Sequence, residues 1–391
     1  MLNIDWRADR HEEFLRRFRT KERIMRLTEA DVQLLRERAA EGDAYAQYGL
    51  GRWLYYMAPS DTSMSEAEEL FCKSKNDVPD ALAAYALMWR YGETKENVMD
   101  LAKCSKFLQT ALQRGSERAA QQLARFRIFG LFCEAEPETV ATEIEQRLNN
   151  DTDADPFWHV LLAYAYEQTD RKDDAVGQYE QAIRLGELEC YFDMAFIYRE
   201  RGNVALYDSL MEEGISRGSA SCCIHQVDMS EEDFMELPAD ERRRLHEKLV
   251  SQLEKGLSMG NGLCAYFLWE NYYYGTLGFP ENELKAAQYL KRGARLGEVN
   301  SIERIAQLHT DEEWPEPMSR AERAELWLRA ARYAPSDANT LRGLSRVSDP
   351  TFLLRHKEEL ETYWQPKLTQ LIAEEEKEEE ENDDGRYDAW A

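Results

Sequence analysis

Small and apolar residues recur along this chain at fixed distances from a glycine-centred turn. The phrase appears at Gly42, Gly115, Gly186, Gly218, Gly260 and Gly297, and weaker versions at Pro79, Ala154 and Ala334 fill the gaps. Together these markers divide residues 42–334 into intervals of 32 to 42 residues, with a mean of 36.5. That period belongs to stacked helix-turn-helix units, since one such unit cannot bury its apolar face alone.

The register inside each unit predicts two helices. Four residues after the marker stand Ala46, Ala83, Ala119, Cys190, Cys222, Cys264, Ser301 and Ala338, with Trp158 the one departure. Eight residues after it stand Leu50, Leu87, Leu123, Leu162, Met194, Leu268 and Ile305. Spacings of four and eight keep these side chains on one helical face. The unit at Gly218 breaks the pattern with Gln226, so its first helix is the weakest in the array. The second helix runs up to the next marker, with Ala111, Ala182, Gly214, Gly256 and Gly293 four residues before it. Small residues at both places predict helices in close approach.

Punctuation agrees with this pattern. The marker glycine suits the position just past a helix, where a left-handed backbone costs Gly little. Thr28 and Asp31, Ser65 and Glu68, and Ser319 and Glu322 have capping-box spacing. Asp349-Pro350 offers an N-cap followed by Pro in the first turn. No stretch alternates with a period of two, so no strands are expected and the fold class is all-α.

Four parts follow. Residues 1–41 form an N-terminal helical cap using Phe14, Leu15 and Phe18, then Val32, Leu35 and Ala39. Residues 42–345 are the repeat array, and 346–373 a C-terminal capping helix with Phe352, Leu353, Leu360, Trp364, Leu368 and Leu371 on one stripe. The Gln365-Pro366 step predicts a kink or break there. Residues 374–391 are an acidic tail, too poor in apolar area to fold alone and expected to be disordered.

Charge changes the picture of partners. The formal net charge is −26, and mean hydropathy is −0.67 with 32% charged residues. The tail contributes ten acids against two bases, which leaves −18 on the rest. Such a field disfavours nucleic acid and anionic membrane, and favours a basic protein or peptide. Met1–Arg26 reverses the sign locally, with eight bases against five acids, and reads as a charged helix surface. The first residues lack a secretory apolar region, and no run of about 18 apolar residues occurs. Seven cysteines without a C-x-x-C pair fit a reducing cytoplasm.

Catalytic, cofactor-binding and metal-binding signatures are not found. Cys222-Cys223-x-His225 lacks a second ligand pair, and Cys222 sits at a small-residue core position. The better functional lead is aromatic. Trp53, Tyr56, Trp89, Tyr91, Tyr198, Tyr272 and Tyr273 lie on first helices, where rings can line a groove or fill the inter-repeat core. An acidic insert at 228–244 adds Phe234 as a candidate contact.

The unit from Trp269 to Gly297, with Tyr274-Gly275 and Lys285-Ala286-Ala287, resembles the Sel-one-like subfamily of tetratricopeptide repeats, as does Gly42–Gly51. Leu162, Ala163, Tyr166, Ala175, Tyr179 and Ala182 have the spacing of an ordinary tetratricopeptide repeat. The resemblance spans residues 40–345. It implies a right-handed solenoid of about eight antiparallel helix pairs with helical caps. It also implies a non-catalytic adaptor holding a peptide or protein along its concave face, without cofactor. The alternative is a self-association module built on the caps or tail, and behind that an enzyme regulator.

Overall fold

The computed structural model describes residues 14–16, 18–24, 27–57, 61–131, 133–225, 231–311 and 313–373. The expectations for residues 1–13 and for the tail at 374–391 lie outside the described residues.

All the elements described are helical, and they alternate as the register requires. A helical turn α1 (Lys21–Ile24) and α2 (Glu29–Ala40) precede the pairs. The first pairs are α3 (Ala44–Met57) with α4 (Asp61–Ser74), α5 (Pro79–Tyr91) with α6 (Leu101–Gln113), and α7 (Glu117–Phe129) with α8 (Pro137–Asn150). Next come α9 (Phe157–Gln168) with α10 (Lys172–Arg184) and α11 (Cys190–Glu200) with α12 (Val204–Arg217). Among the described residues, the unit after Gly218 has a 3-10 turn, Ser221–Ile224, then α13 (Glu231–Glu236) and α14 (Ala239–Ser258). The array ends with α15 (Gly262–Tyr274) and α16 (Glu283–Arg295), α17 (Val299–Thr310) and α18 (Arg320–Tyr333), and α19 (Ala338–Ser345). A closing segment holds α20 (Pro350–Arg355) and a helix over 357–373.

The core sits in the seams between helices. Ala46, Ala83, Ala119, Cys222, Cys264 and Ser301 are fully buried, and so are Leu108, Tyr179, Met211, Leu253 and Leu290 of the second helices. Gly214 faces Cys222, Gly256 faces Cys264 and Gly293 faces Ser301 so closely that a Cβ on any of these glycines would overlap the facing side chain. The six marker glycines all have positive φ, between 77° and 103°. All seven cysteines are free thiols. Burial pushes Cys222 up to about 12 and Cys223 to about 11, so neither is a poised thiolate.

Most caps form as expected. Thr28 with Asp31 and Ser319 with Glu322 make complete capping boxes, and Asp349 accepts from Thr351 N and Phe352 N. Ser65 does not cap, because α4 starts four residues earlier and carries it within the helix. The Pro366 step does not break the last helix in two. A π-turn at Leu360–Trp364 takes up the disturbance and the helix continues to 373.

The array also meets itself. Helix α18 packs against α5, and Tyr333 stacks on Tyr91 with centroids 4.8 Å apart. Arg332 fills the junction, fully paired. Its guanidinium donates to Glu359 at 2.8 and 2.6 Å, to Asn97 Oδ1 at 3.1 Å and to the Asn97 carbonyl at 3.2 Å. Arg90 donates to the Arg332 carbonyl at 3.2 Å. Beside this clasp Tyr55 and Tyr333 both donate to Glu93. Burial, then the Glu93 charge, pushes both phenols well up and keeps them protonated donors.

Candidate functional site

The residue following each marker stands at the N-terminal end of a first helix. In most units it is a short polar or acidic residue: Asp43, Asp80, Ser116, Asp155, Glu187, Ser219, Asn261 and Glu298. Helix capping explains part of the choice, since the first turn leaves backbone N–H groups without partners and concentrates positive dipole, whereas Asp80 lies within α5 and Glu187 stands three residues before α11. Ser116 accepts from Ala119 N at 3.0 Å, Asp155 from Phe157 N at 3.0 Å and Asn261 from Leu263 N at 3.0 Å. Stacking the units therefore sets the acidic members of this series side by side along one edge of the array.

A short segment of the same chain lies on that edge. Phe14 and Phe18 are buried with ring centroids 4.6 Å apart, and Phe18 meets the Tyr48 ring at 6.2 Å beneath Gly49, where a Cβ would clash. Among the described residues 14–16 are helical, 18–20 form a turn and bend, and α1 follows. The bend exposes backbone carbonyls, and the array supplies donors for them. Arg52 Nε reaches Phe18 O at 2.9 Å, Arg52 Nη2 reaches Arg19 O at 3.2 Å, and Arg118 Nη1 reaches Arg19 O at 2.6 Å.

The side chains of the segment then pair with the acidic row. Arg19 bridges Asp80 and Asp155, each at 3.3 Å, with all three side chains almost fully buried. Arg23 reaches Asp155 at 3.3 Å and also pairs with Glu187. Arg16 donates to the Asp153 carbonyl at 2.7 Å. Asp80 is held from its other side by the Ser116 hydroxyl at 2.6 Å. Burial alone would raise the Asp155 carboxyl, but Arg23 and Arg19 beside it, with the Phe157 amide, outweigh that and hold it below its ordinary range. Burial works to lower the Arg23 guanidinium, and Glu187 with Asp155 raises it instead.

The aromatic candidates fall into two groups. Trp89, Tyr272 and Phe234 are buried: Trp89 lies under Lys103, Tyr272 stacks on Tyr289, and Phe234 packs at Gly278. Trp53, Tyr56, Tyr91, Tyr198 and Tyr273 are half-buried. Arg36 lies over Trp53, Arg52 over Tyr56 and Arg201 over Tyr198, while Tyr273 donates to Glu313 at 2.9 Å. Tyr91 belongs to the clasp with Tyr333. The carboxylates on the first-helix ends escaped the sequence reading as a binding feature. Their signal was the acid recurring one residue past the marker, a position where a capping residue is expected.

A second concavity of about 620 Å³ lies among α17, α18 and α19. Arg320, Arg323, Arg342 and Arg346 line it together with Trp327 and Glu303. Thr340 donates to Glu303 there, and burial, then Asp337, raises that carboxyl to about 7. Among the described residues no group of three or more His, Cys, Asp or Glu has metal-holding geometry.

Repeated helix pairs, glycine turns and small-residue seams define the class: an all-helical repeat solenoid. No family model and no curated relative matches the chain. Among solved structures it is similar to c5321, a protective antigen of uropathogenic Escherichia coli with an SLR fold, at 14% identity and TM-score 0.37, covering 94% of each chain. It is also similar to a Sel1 repeat protein from Oxalobacter formigenes at 17% identity and TM-score 0.39, covering 84% of this chain and 94% of that one. A third is the P58(IPK) TPR domain, at 16% identity and TM-score 0.23, covering 90% and 99%.

Proposed function

We propose that this chain is a non-catalytic interaction scaffold of the cytoplasm that holds a protein or peptide partner against its first helices. The observation carrying this reading is the grip on residues 14–24. Arginines of the array hold the backbone carbonyls of a short segment, while carboxylates from separate units take its side chains. Backbone contacts supply affinity with little regard to sequence, and the carboxylates select for basic residues. The half-buried rings of Trp53, Tyr56, Tyr198 and Tyr273 are the aromatic anchors proposed to join them.

Affinity capture from cytosol tests the reading, comparing the full chain with one ending at Ala373. A stoichiometric partner kept by both supports binding by the array. A partner lost with residues 374–391 assigns binding to the tail and sinks the groove reading.

Self-association is the second reading, and one observation favours it. On the closing segment Leu354 is 77% and Ile372 51% exposed, with Leu353 beside Leu354 also outward. Apolar side chains left bare at the end of a solenoid suit contact with another copy. Light scattering of Leu354→Glu with Ile372→Glu checks it: a dimer that becomes a monomer supports self-association, and a wild-type monomer at all concentrations removes it.

A further inference from the structure

We infer that residues 14–24 are an intramolecular occupant of the array's binding edge, and that the partner fitted to this edge is a basic amphipathic segment that displaces them. The inference rests on the scaffold reading and names the partner's chemistry and its regulation. A permanent cap needs only to cover the apolar face of α3, and Phe14 with Phe18 does that. The contacts of Arg19 and Arg23 go further, crossing to the helix ends of units well beyond α3, at Asp80, Asp155 and Glu187. The array side of this contact has the features of a receptor. Arg118 is buried with its guanidinium on a main-chain carbonyl of the segment, and burial pushes its pKa down. An arginine so placed recognises a peptide backbone, which any segment supplies.

Two acids of the edge also have partners within the array itself. Asp155 caps the Phe157 amide and Asp80 accepts from Ser116. Among the described residues the segment turns and bends over 18–20, and it packs on the array through Phe14, Phe18 and Ile24 without belonging to one of the helix pairs. A competitor must supply what the segment supplies: an aromatic ring for the Gly49 niche, with arginines one and five residues further along. In a chain of net charge −26, this edge turns an acidic field into a site with defined spacing.

The test uses the full chain and a labelled synthetic peptide of residues 12–26. In the wild-type chain the tethered segment competes, so the peptide binds weakly. In Arg19→Glu with Arg23→Glu the tethered segment is repelled from the acidic row. The peptide then binds about 10- to 100-fold more tightly, the factor set by how fully the segment occupied the edge. Adding Asp155→Arg to that variant abolishes the gain. Equal binding to wild type and double variant, or binding to neither, overturns the inference. Should the double variant unfold, hydrogen exchange on the wild-type chain decides instead: saturating peptide speeds exchange at residues 18–24, and unchanged exchange overturns displacement. If cytosolic capture retains a partner equally on wild type and double variant, the scaffold reading stands and this one falls.

Discussion

Two clasps join distant parts of this chain, and they are built differently. Both centre on a buried arginine paired with carboxylates, Arg332 with Glu359 and Arg19 with Asp80 and Asp155. At the C-terminal clasp Arg332 lies on α18, Glu359 on the last helix, and Asn97 in the loop that stacks under them. Every partner belongs to an element with its own core, and a ring stack of Tyr91 on Tyr333 seals the junction. At the N-terminal clasp Arg19 and Arg23 belong to a stretch ahead of the first helix pair, whose Phe14, Phe18 and Ile24 pack into the core of the first units. Equal ion pairs therefore do unequal jobs. Opening the first separates folded repeats, whereas opening the second releases one short segment. The same chemistry is structural where both sides are rigid and exchangeable where one side is short.

The largest effect is expected at the rigid clasp. Arg332→Ala leaves Glu359 buried without its partner, and should cost about 3–5 kcal/mol in chemical denaturation. Arg332→Lys should recover only part of that, because an ammonium cannot fork between two groups. A loss below about 1 kcal/mol would mean the clasp does not hold the ends.

Next is a seam that neither clasp touches. Gly256→Ala places a Cβ onto Cys264 Sγ and should cost about 1–3 kcal/mol through overpacking. The double variant with Arg332→Ala should be close to additive, since the sites share no partner. Strong non-additivity would show that seams and clasp respond as one.

Asp155→Asn weakens the short segment's hold and should cost only about 1–2 kcal/mol globally. Amide exchange at residues 18–24 should nevertheless rise far more than exchange in α3. The pH dependence has a definite sign. The Asp155 carboxyl is depressed in the folded state, so the unfolded chain binds more protons as pH falls. Its contribution is present at neutral pH and lost as pH falls below about 4, the ordinary Asp range. The Asn variant should lack that acid-side loss.

Smallest is Glu303, raised by burial and by Asp337 to about 7. Between about 4.3 and 7 the folded chain holds the extra proton, so stability falls as pH rises. Glu303→Gln should flatten that slope and raise the melting temperature slightly at pH 8, as thermal scans across pH would show. A slope left unchanged would assign the dependence elsewhere.

What could be read from the sequence follows from which contacts repeat. Seams do, so Ala46, Cys264 and Ser301 announced themselves by spacing, and the marker glycines announced the turns. The sequence break at Gln226 lies outside the described residues, and just before it the unit carries a 3-10 turn at Ser221–Ile224. Ser65 misled because capping-box spacing also occurs inside helices. Neither clasp was legible. Arg90 and Arg332 are 242 positions apart and Arg19 and Asp155 136 apart, and each contact occurs once, so no period reveals it. The acidic row was in plain view, and its capping role concealed a second use. Within the basic stretch at Met1–Arg26, Arg19 and Arg23 stand apart from the chain's charge because each meets carboxylates of separate units.

Closure at Arg332 has a consequence for how the molecule comes apart. An open repeat array frays from its ends, each unit held only by its neighbours, and its melting broadens as units are added. Here the last units are tied back to the second, so fraying from the C-terminus must first break a contact between residues some 240 positions apart. The chain should melt as a single cooperative unit, like a loop rather than a rod, until Arg332 is removed and the transition divides in two.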